Sequence, residues 1–387
     1  MVYLIPLVLL LIGAVLYDKK GISKGNFLYW LSCLTIILIF GFRYRVGGDT
    51  LNYMYKYNLL PNLSEANVAL AGLYDVEIGF FYLESFVKTV FDSFYGVQVI
   101  ESLFVNVVIF WFAKNRTSYK FSFALIYFLL LSFYFNTEIM REAIAVSFFL
   151  LGINQYENGR KSSFYLFMIG AVLFHYSSIF LLLYPILHKI LKNTKLTLIY
   201  GSVALIVLSV GSIPMMSGYL GTKIANNMNY QFTVWGELSV FLKFVVLPCF
   251  VVYLYRRFAV MDRNAYKNDV HFLYVYMFYG MLTLGPFSIL MRLLNYLNPI
   301  FFIVIIRLFT SWKPSLIRSK GISKFCMSFA LFIFFLFPYL RDTSHILKGT
   351  HFYCLWFPYY SILDEQEDPS REAFVVAQFE KLHDAGL

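Results

Sequence analysis

The chain concentrates chemistry-bearing residues in one short stretch, RYRVGGDTLNYMYKY (43–57), although charged residues make up only 14% of its 387 positions. A turn through Gly47 and Gly48 that runs into a helix at Asp49 or Thr50 exposes free backbone N–H groups. Flanked by Arg43 and Arg45, such a turn is a phosphate-binding arrangement. Asp49, Tyr53 and Tyr57 fall at i, i+4 and i+8, on one helical face. Aromatic rings beside a carboxylate suit a sugar, whose C–H face packs on the ring while its hydroxyls bond to the charge. The competing structural reading has Asp49 as a helix N-cap, the arginines reaching for lipid head groups, and the tyrosines in an interfacial aromatic belt.

Further candidates lie downstream. Arg141 sits in NTEIMREAIAVSFFL, with Glu138 three residues earlier, where the two can pair on one face. His175, in LFHYSSIF, titrates near neutral pH without extensive tuning and suits a proton acceptor or donor; the alternative is a neutral core histidine bonded to Ser177 or Ser178. Arg292 opens another apolar run, and Arg341 lies near His345 and His351. Cys33, Cys249, Cys326 and Cys354 are scattered without CxxC spacing, and neither a DxD-like motif nor a His/Asp cluster with ligand spacing is present. No metal site is expected.

The elements that must position these residues follow from composition. Hydrophobic residues make up 59% of the chain, and the charged fraction falls well below the roughly one quarter of soluble domains. Solid apolar runs recur throughout, so the fold class expected is an all-α polytopic membrane protein of about 10–12 transmembrane helices with short re-entrant or interfacial helices. Alternating segments would instead mark a β-barrel. Spans are expected at 2–17, 27–42, 97–113, 121–135, 138–156, 196–213, 237–255, 270–287, 289–309 and 325–340. The first lacks the basic leader and small-residue cleavage site of a signal peptide.

The formal charge of +10 sets topology rather than recruiting nucleic acid. The basic loops DKKGISK, AKNRTSYK, ENGRKSS, HKILKNTK, RRFAVMDRNAYK and SWKPSLIRSKGISK belong in the cytoplasm, which leaves both termini outside. Residues 77–94 carry Glu84, Lys88 and Asp92 and are expected at the outer interface or dipping partway in. Residues 164–187 read as two short helices meeting near His175. A single membrane domain is expected over 1–363, with outer loops at 43–76, 214–236 and 341–353, followed by an acidic soluble tail at 364–387 that is able to form one amphipathic helix. The outer arginines are the anomaly. Topology gives no reason for them, so an anionic ligand is expected there.

In order, FRYRVGGDTLNY, EIGFFYL, IMREAIAVSFFLLGI, LFHYSSIFLLLYPIL, MRLLNYLNPIF and FPYYSIL resemble the EpsG family of membrane proteins, which includes Wzy-type polymerases of O-antigen, capsule and exopolysaccharide. The resemblance implies a GT-C-like glycosyltransferase at the outer face of the bacterial cytoplasmic membrane. Such an enzyme moves a growing glycan from undecaprenyl diphosphate to another lipid-linked repeat unit. Arg43, Gly47, Asp49, Tyr53, Arg141, His175 and Arg292 match the family's motif positions. The expected catalytic residues are Arg141 with His175 or Asp49 as base. The expected substrate contacts are Arg43, Arg45, Gly47, Tyr53, Glu77, Glu138, Arg292 and Arg341. The resemblance implies metal-independent transfer with no cofactor, and as partners lipid-linked oligosaccharide repeat units, membrane lipid, a flippase and a chain-length regulator, without nucleic acid. A ligase-like or other polyprenol-linked transferase and a lipid-linked oligosaccharide transporter are the competing functions. The transporter would favour internal pseudo-repeats, and none is visible.

Overall fold

A computed structural model describes residues 2–18, 24–70, 77–215, 234–259, 261–284, 288–311 and 352–384. Among these residues the fold is helical throughout apart from one isolated β-bridge, so the chain is an all-α polytopic membrane protein. Among the described residues four stretches, Phe94–Lys114, Lys120–Thr137, Leu238–Arg257 and Leu290–Thr310, are long and apolar enough to cross a bilayer, and five shorter apolar helices accompany them. The expected span at 325–340 lies outside the described residues, as do Arg341, His345, His351 and most of the expected outer loops at 214–236 and 341–353.

The chain divides into two compact units, Met1–Tyr176 with Phe325–His383, and Ser177–Lys324 with Asp384–Leu387. The first contains α1 (Leu4–Tyr17), α2 (Asn26–Gly41), α3 (Thr50–Leu59), α4 (Ala66–Leu70), α5 (Ile78–Phe91), α6 (Phe94–Lys114), α7 (Lys120–Tyr127), α8 (Phe133–Thr137), α9 (Met140–Glu157) and α10 (Lys161–Phe174). A π turn over Phe128–Ser132 joins α7 to α8. The extra residue in that turn re-aims Asn136 and Thr137 relative to a straight helix. α9 packs along α10, α2 along α6, and α6 along α9. At Gly152 a Cβ would lie 3.3 Å from Phe164, so the small residue lets α9 and α10 approach closely.

The two ends of this bundle differ in charge chemistry. At one end Asp18 accepts from Phe121 N at 3.2 Å and Ser122 N at 2.9 Å, Lys120 Nζ donates to Asn26 at 2.6 Å, and Arg116 pairs with Glu157 at 2.6 Å. This end gathers the edges of three expected cytoplasmic loops. The opposite end carries residues 43–49, Glu138 and the 3-10 turn Phe352–Leu355, where Tyr3 Oη donates to Trp356 O at 2.9 Å. α5 spans 14 residues, about 21 Å of rise against a hydrocarbon core of about 30 Å.

The second unit comprises a 3-10 stretch (Tyr176–Leu183), α11 (Tyr184–Ile190), α12 (Thr194–Met215), α13 (Val234–Phe241), α14 (Leu247–Phe258), α15 (Arg263–Leu282) and α16 (Leu293–Thr310). Asp262 caps α15, accepting from Asn264 N at 2.9 Å. Buried Asp269 holds Arg307 at 2.6 Å and accepts from Tyr255 Oη at 3.0 Å. Tyr276 Oη reaches Asn298 at 2.9 Å. Arg292 is exposed at the end of α16 opposite Arg307.

The C-terminal segment differs from the soluble appendage expected at 364–387. Helix α17 (Pro369–Asp384) buries Phe374 and Val375 against Val46, Leu355 and Trp356. Arg371, 1% exposed, donates to Cys354 O at 3.2 Å, to Arg45 O at 3.3 Å and to Pro358 O. The amphipathic helix the tail's sequence allows is present, and its apolar side covers the 43–49 turn.

Candidate functional site

The Gly-Gly turn does bind an anion, and that anion is part of the protein. Glu138 Oε1 accepts from Gly48 N at 2.7 Å and Glu138 Oε2 from Asp49 N at 3.0 Å. Gly47 has φ +113, and a Cβ there would meet Thr137 at 2.5 Å, so both backbone and space require glycine. A Cβ on Gly48 would lie 2.7 Å from Glu138 Oε2. Burial, followed by the nearby Asp49 carboxylate, pushes Glu138 up to about 7 against the pull of the two N–H groups.

The arginines expected to hold substrate here are likewise committed internally. Arg43 is fully buried; its Nε donates to Val46 O at 3.2 Å and its other nitrogens to Phe40 O and, at 3.4 Å, to Met140 Sδ. Burial pulls it down to about 10, opposed by Glu101 and Glu138, so it remains a cation at neutral pH. Arg45, at φ +53, donates to Glu372 at 2.5 Å with Glu367 at 3.5 Å. In this structure Arg43 and Arg45 brace the turn. Gly47, Glu138 and the N–H groups at Gly48 and Asp49 serve the same brace in place of the expected phosphate cradle.

A second cluster is built from three separate elements. Glu77 precedes α5, Arg141 and Glu142 occupy the first turn of α9, and His175 follows α10 in an extended conformation with φ −158 and ψ 113. The chain break expected at His175 is therefore present. His175 Nδ1 lies 3.0 Å from Glu77 Oε1, and its Nε2 lies 3.6 Å from Glu142 Oε2. Arg141 pairs with Glu77 Oε2, whereas the sequence spacing had suggested Glu138 as its partner. Glu138 is turned to the Gly48 and Asp49 N–H groups instead. Burial alone would raise the Glu77 carboxyl, but the His175 hydrogen bond and the Arg141 charge together hold it below its ordinary value.

Beside this cluster lies a cavity of about 410 Å³ whose lining includes Glu77, Arg141, Tyr53, Phe80, Phe81 and Glu84. Its size falls within the roughly 300–1,000 Å³ of small-molecule sites. Neither Asp49 nor His175 belongs to that lining. Tyr53, 7% exposed, packs on Phe80 at 5.9 Å between ring centroids, and the Arg141 guanidinium sits 5.7 Å from the Tyr53 ring centre. The side chain of Arg141 is 33% exposed, so its charge faces the cavity. Lys88 fixes the far end of α3, donating to Asn58 O at 2.9 Å and Leu60 O at 2.7 Å.

Of the expected site residues, the structure thus brings together Tyr53, Glu77, Arg141 and His175. It gathers Arg43, Arg45, Gly47, Asp49 and Glu138 in the brace, and it carries Arg292 in the other unit. Sequence reading passed over Glu84 as a site residue, although Glu77 and Glu84 at i, i+7 share a helical face, the available signal. A family model described as the EpsG family matches residues 26–361. No curated protein and no solved structure matches the chain.

Proposed function

The chain belongs to the EpsG family of Wzy-type polysaccharide polymerases, and from that premise we propose that it extends a glycan at the outer face of the bacterial cytoplasmic membrane, using undecaprenyl-diphosphate-linked repeat units. The observation that carries this reading is the meeting of Glu77, Arg141 and His175 beside an aromatic-walled cavity, at the bundle end opposite the basic loops.

The reaction needs two things from the protein. A hydroxyl of the lipid-linked acceptor must lose its proton as its oxygen attacks the anomeric carbon of the donor. The anomeric C–O bond to the diphosphate then breaks, and the lipid diphosphate leaves with the electron pair. Arg141 supplies the counter-charge for that leaving group. Glu77 occupies only part of its guanidinium fork, and the remaining donors can meet phosphate oxygens as charge builds on them. Glu77 lines the cavity and takes the hydroxyl proton. His175 sits behind it, between Glu77 and Glu142, and holds the carboxylate in orientation. This assigns the base to Glu77 in place of His175 or Asp49. The transfer is metal-independent in this scheme, with arginine in the part that Mg²⁺ plays elsewhere.

A strain deleted for this chain, and holding no second polymerase, tests the reading. Single repeat units delivered to their final acceptor, with long chains restored by the wild-type gene, are the expected result. Long glycans surviving the deletion would refute polymerisation, and long chains accumulating on the lipid diphosphate would indicate a ligase.

A further inference from the structure

Glu84 has no part in the chemistry above, yet its placement is costly. Its side chain is 6% exposed, it lines the cavity, and its Oε1 has no hydrogen-bond partner among the described residues. A buried carboxyl oxygen left without a partner loses its hydration uncompensated, a cost that a ligand donor would remove. Glu84 lies about two turns into α5, with Glu77 at the helix N-cap, so the two backbones stand about 10 Å apart along the helix axis. That separation lets one end of the cavity handle a reacting hydroxyl while the other recognises a different group of the same ligand.

The wall between them is aromatic. Phe80, Phe81 and Tyr53 are each buried to within a few per cent, and all three line the cavity. Exposed Lys56 marks its rim. Flat rings flanked by an acceptor oxygen are the complement of a pyranose, which offers C–H faces to rings and O–H or amide N–H groups to carboxylates.

We propose that Glu84 is the specificity-determining residue for the acceptor sugar: a pyranose of the incoming repeat unit packs on the Tyr53, Phe80 and Phe81 wall and donates a hydroxyl or amide hydrogen to Glu84 Oε1. The acceptor's nucleophilic hydroxyl then lies at the Glu77–Arg141 end. This inference rests on the polymerase reading for the word acceptor, but the sugar site itself can be tested apart from it.

The probe is the lipid-free oligosaccharide repeat unit, obtained by depolymerising the host's own glycan and titrated against the purified full chain in lipid nanodiscs. Glu84→Gln keeps the shape and replaces the carboxyl with an amide, whereas Glu84→Asp keeps the carboxyl and withdraws it; both are compared with wild type at matched thermal stability. Loss of one hydrogen bond predicts affinity weakened roughly two- to tenfold for each variant. In polymerisation with lipid-linked units, KM for the acceptor should rise by a similar factor while kcat stays within about threefold. Wild-type binding that Glu84→Gln leaves unchanged overturns the proposal, even where polymerisation is intact. Binding that depends on Glu84 in a chain that makes no polymer supports the sugar site and overturns the polymerase reading instead.

Discussion

Replacing Glu138 with alanine should loosen the 43–49 turn, and the structure sets the size of the effect. The substitution removes the acceptor of two backbone N–H groups, Gly48 N at 2.7 Å and Asp49 N at 3.0 Å. A hydrogen bond of this kind contributes about 0.5–1.5 kcal/mol when the carboxyl is protonated and about 1.5–3 when it is charged. Glu138 is half-buried, so water recovers part of that, and a loss of about 2–3 kcal/mol is expected for the pair. For a domain of this scale the change corresponds to a fall in Tm of roughly 4–12 °C. Glu138→Gln retains one acceptor oxygen and should lose about half as much. The pH dependence carries a definite sign. The carboxyl rises from 4.5 to about 7 on folding, so the folded chain binds the additional proton between those values. Its contribution makes stability fall as pH rises through that window and level off above it, and Glu138→Gln should remove the slope. Size-exclusion profiles of detergent-solubilised protein after graded heating measure both effects. Glu138→Ala melting within a degree of wild type, at every pH from 5 to 8, would refute the assignment of Glu138 to the turn.

Arg141→Lys keeps charge but loses the planar fork, and should cut polymer formation about a hundredfold at unchanged protein level; full-length polymer from this variant would show that simple charge suffices. Glu77 is held below its ordinary carboxyl range despite burial, by His175 and then Arg141, so its stabilising contribution is present above that range and is lost as pH falls through the lowered value. Glu77→Gln should therefore flatten the acid limb of the stability profile, and an unaltered limb would count against the pair. Removing residues 369–387 uncovers Val46, Leu355 and Trp356 and strips Arg45 of Glu372. The shortened chain should melt several degrees lower, and a melt matching wild type would show that α17 contributes nothing to the turn. Gly48→Ala, whose Cβ would lie 2.7 Å from Glu138 Oε2, should destabilise the turn comparably to Glu138→Gln, and a thermal scan in the same buffer reads it.

The helices were legible because hydrocarbon leaves the backbone no alternative: every described apolar run expected to span is a helix, and the break at His175 falls where polarity interrupts the run. The partners of the charges were less legible. Spacing reveals pairs within one helix, and Glu138 with Arg141 satisfied that rule, yet each is held across 64 or more positions, by Gly48 and Glu77 respectively. Such contacts are settled by packing among α3, α5 and α9, on which local pattern is silent. Arg43 and Arg45 illustrate the same limit, since an arginine at the end of a span reads identically whether it faces a ligand or the protein's own carbonyls. The tail's helix was legible, but its seat was not: Arg45 pairs with Glu372, and Phe374 packs against Val46 and Trp356.

The central claim is that Glu77 and Arg141, at the cavity, carry glycosyl transfer from a lipid diphosphate. Purified chain in nanodiscs, supplied with polyprenyl-diphosphate-linked repeat units in the presence of EDTA, should convert them to a ladder of longer glycans while releasing polyprenyl diphosphate. Glu77→Gln at equal thermal stability should leave the units single. A full ladder from Glu77→Gln would contradict the account.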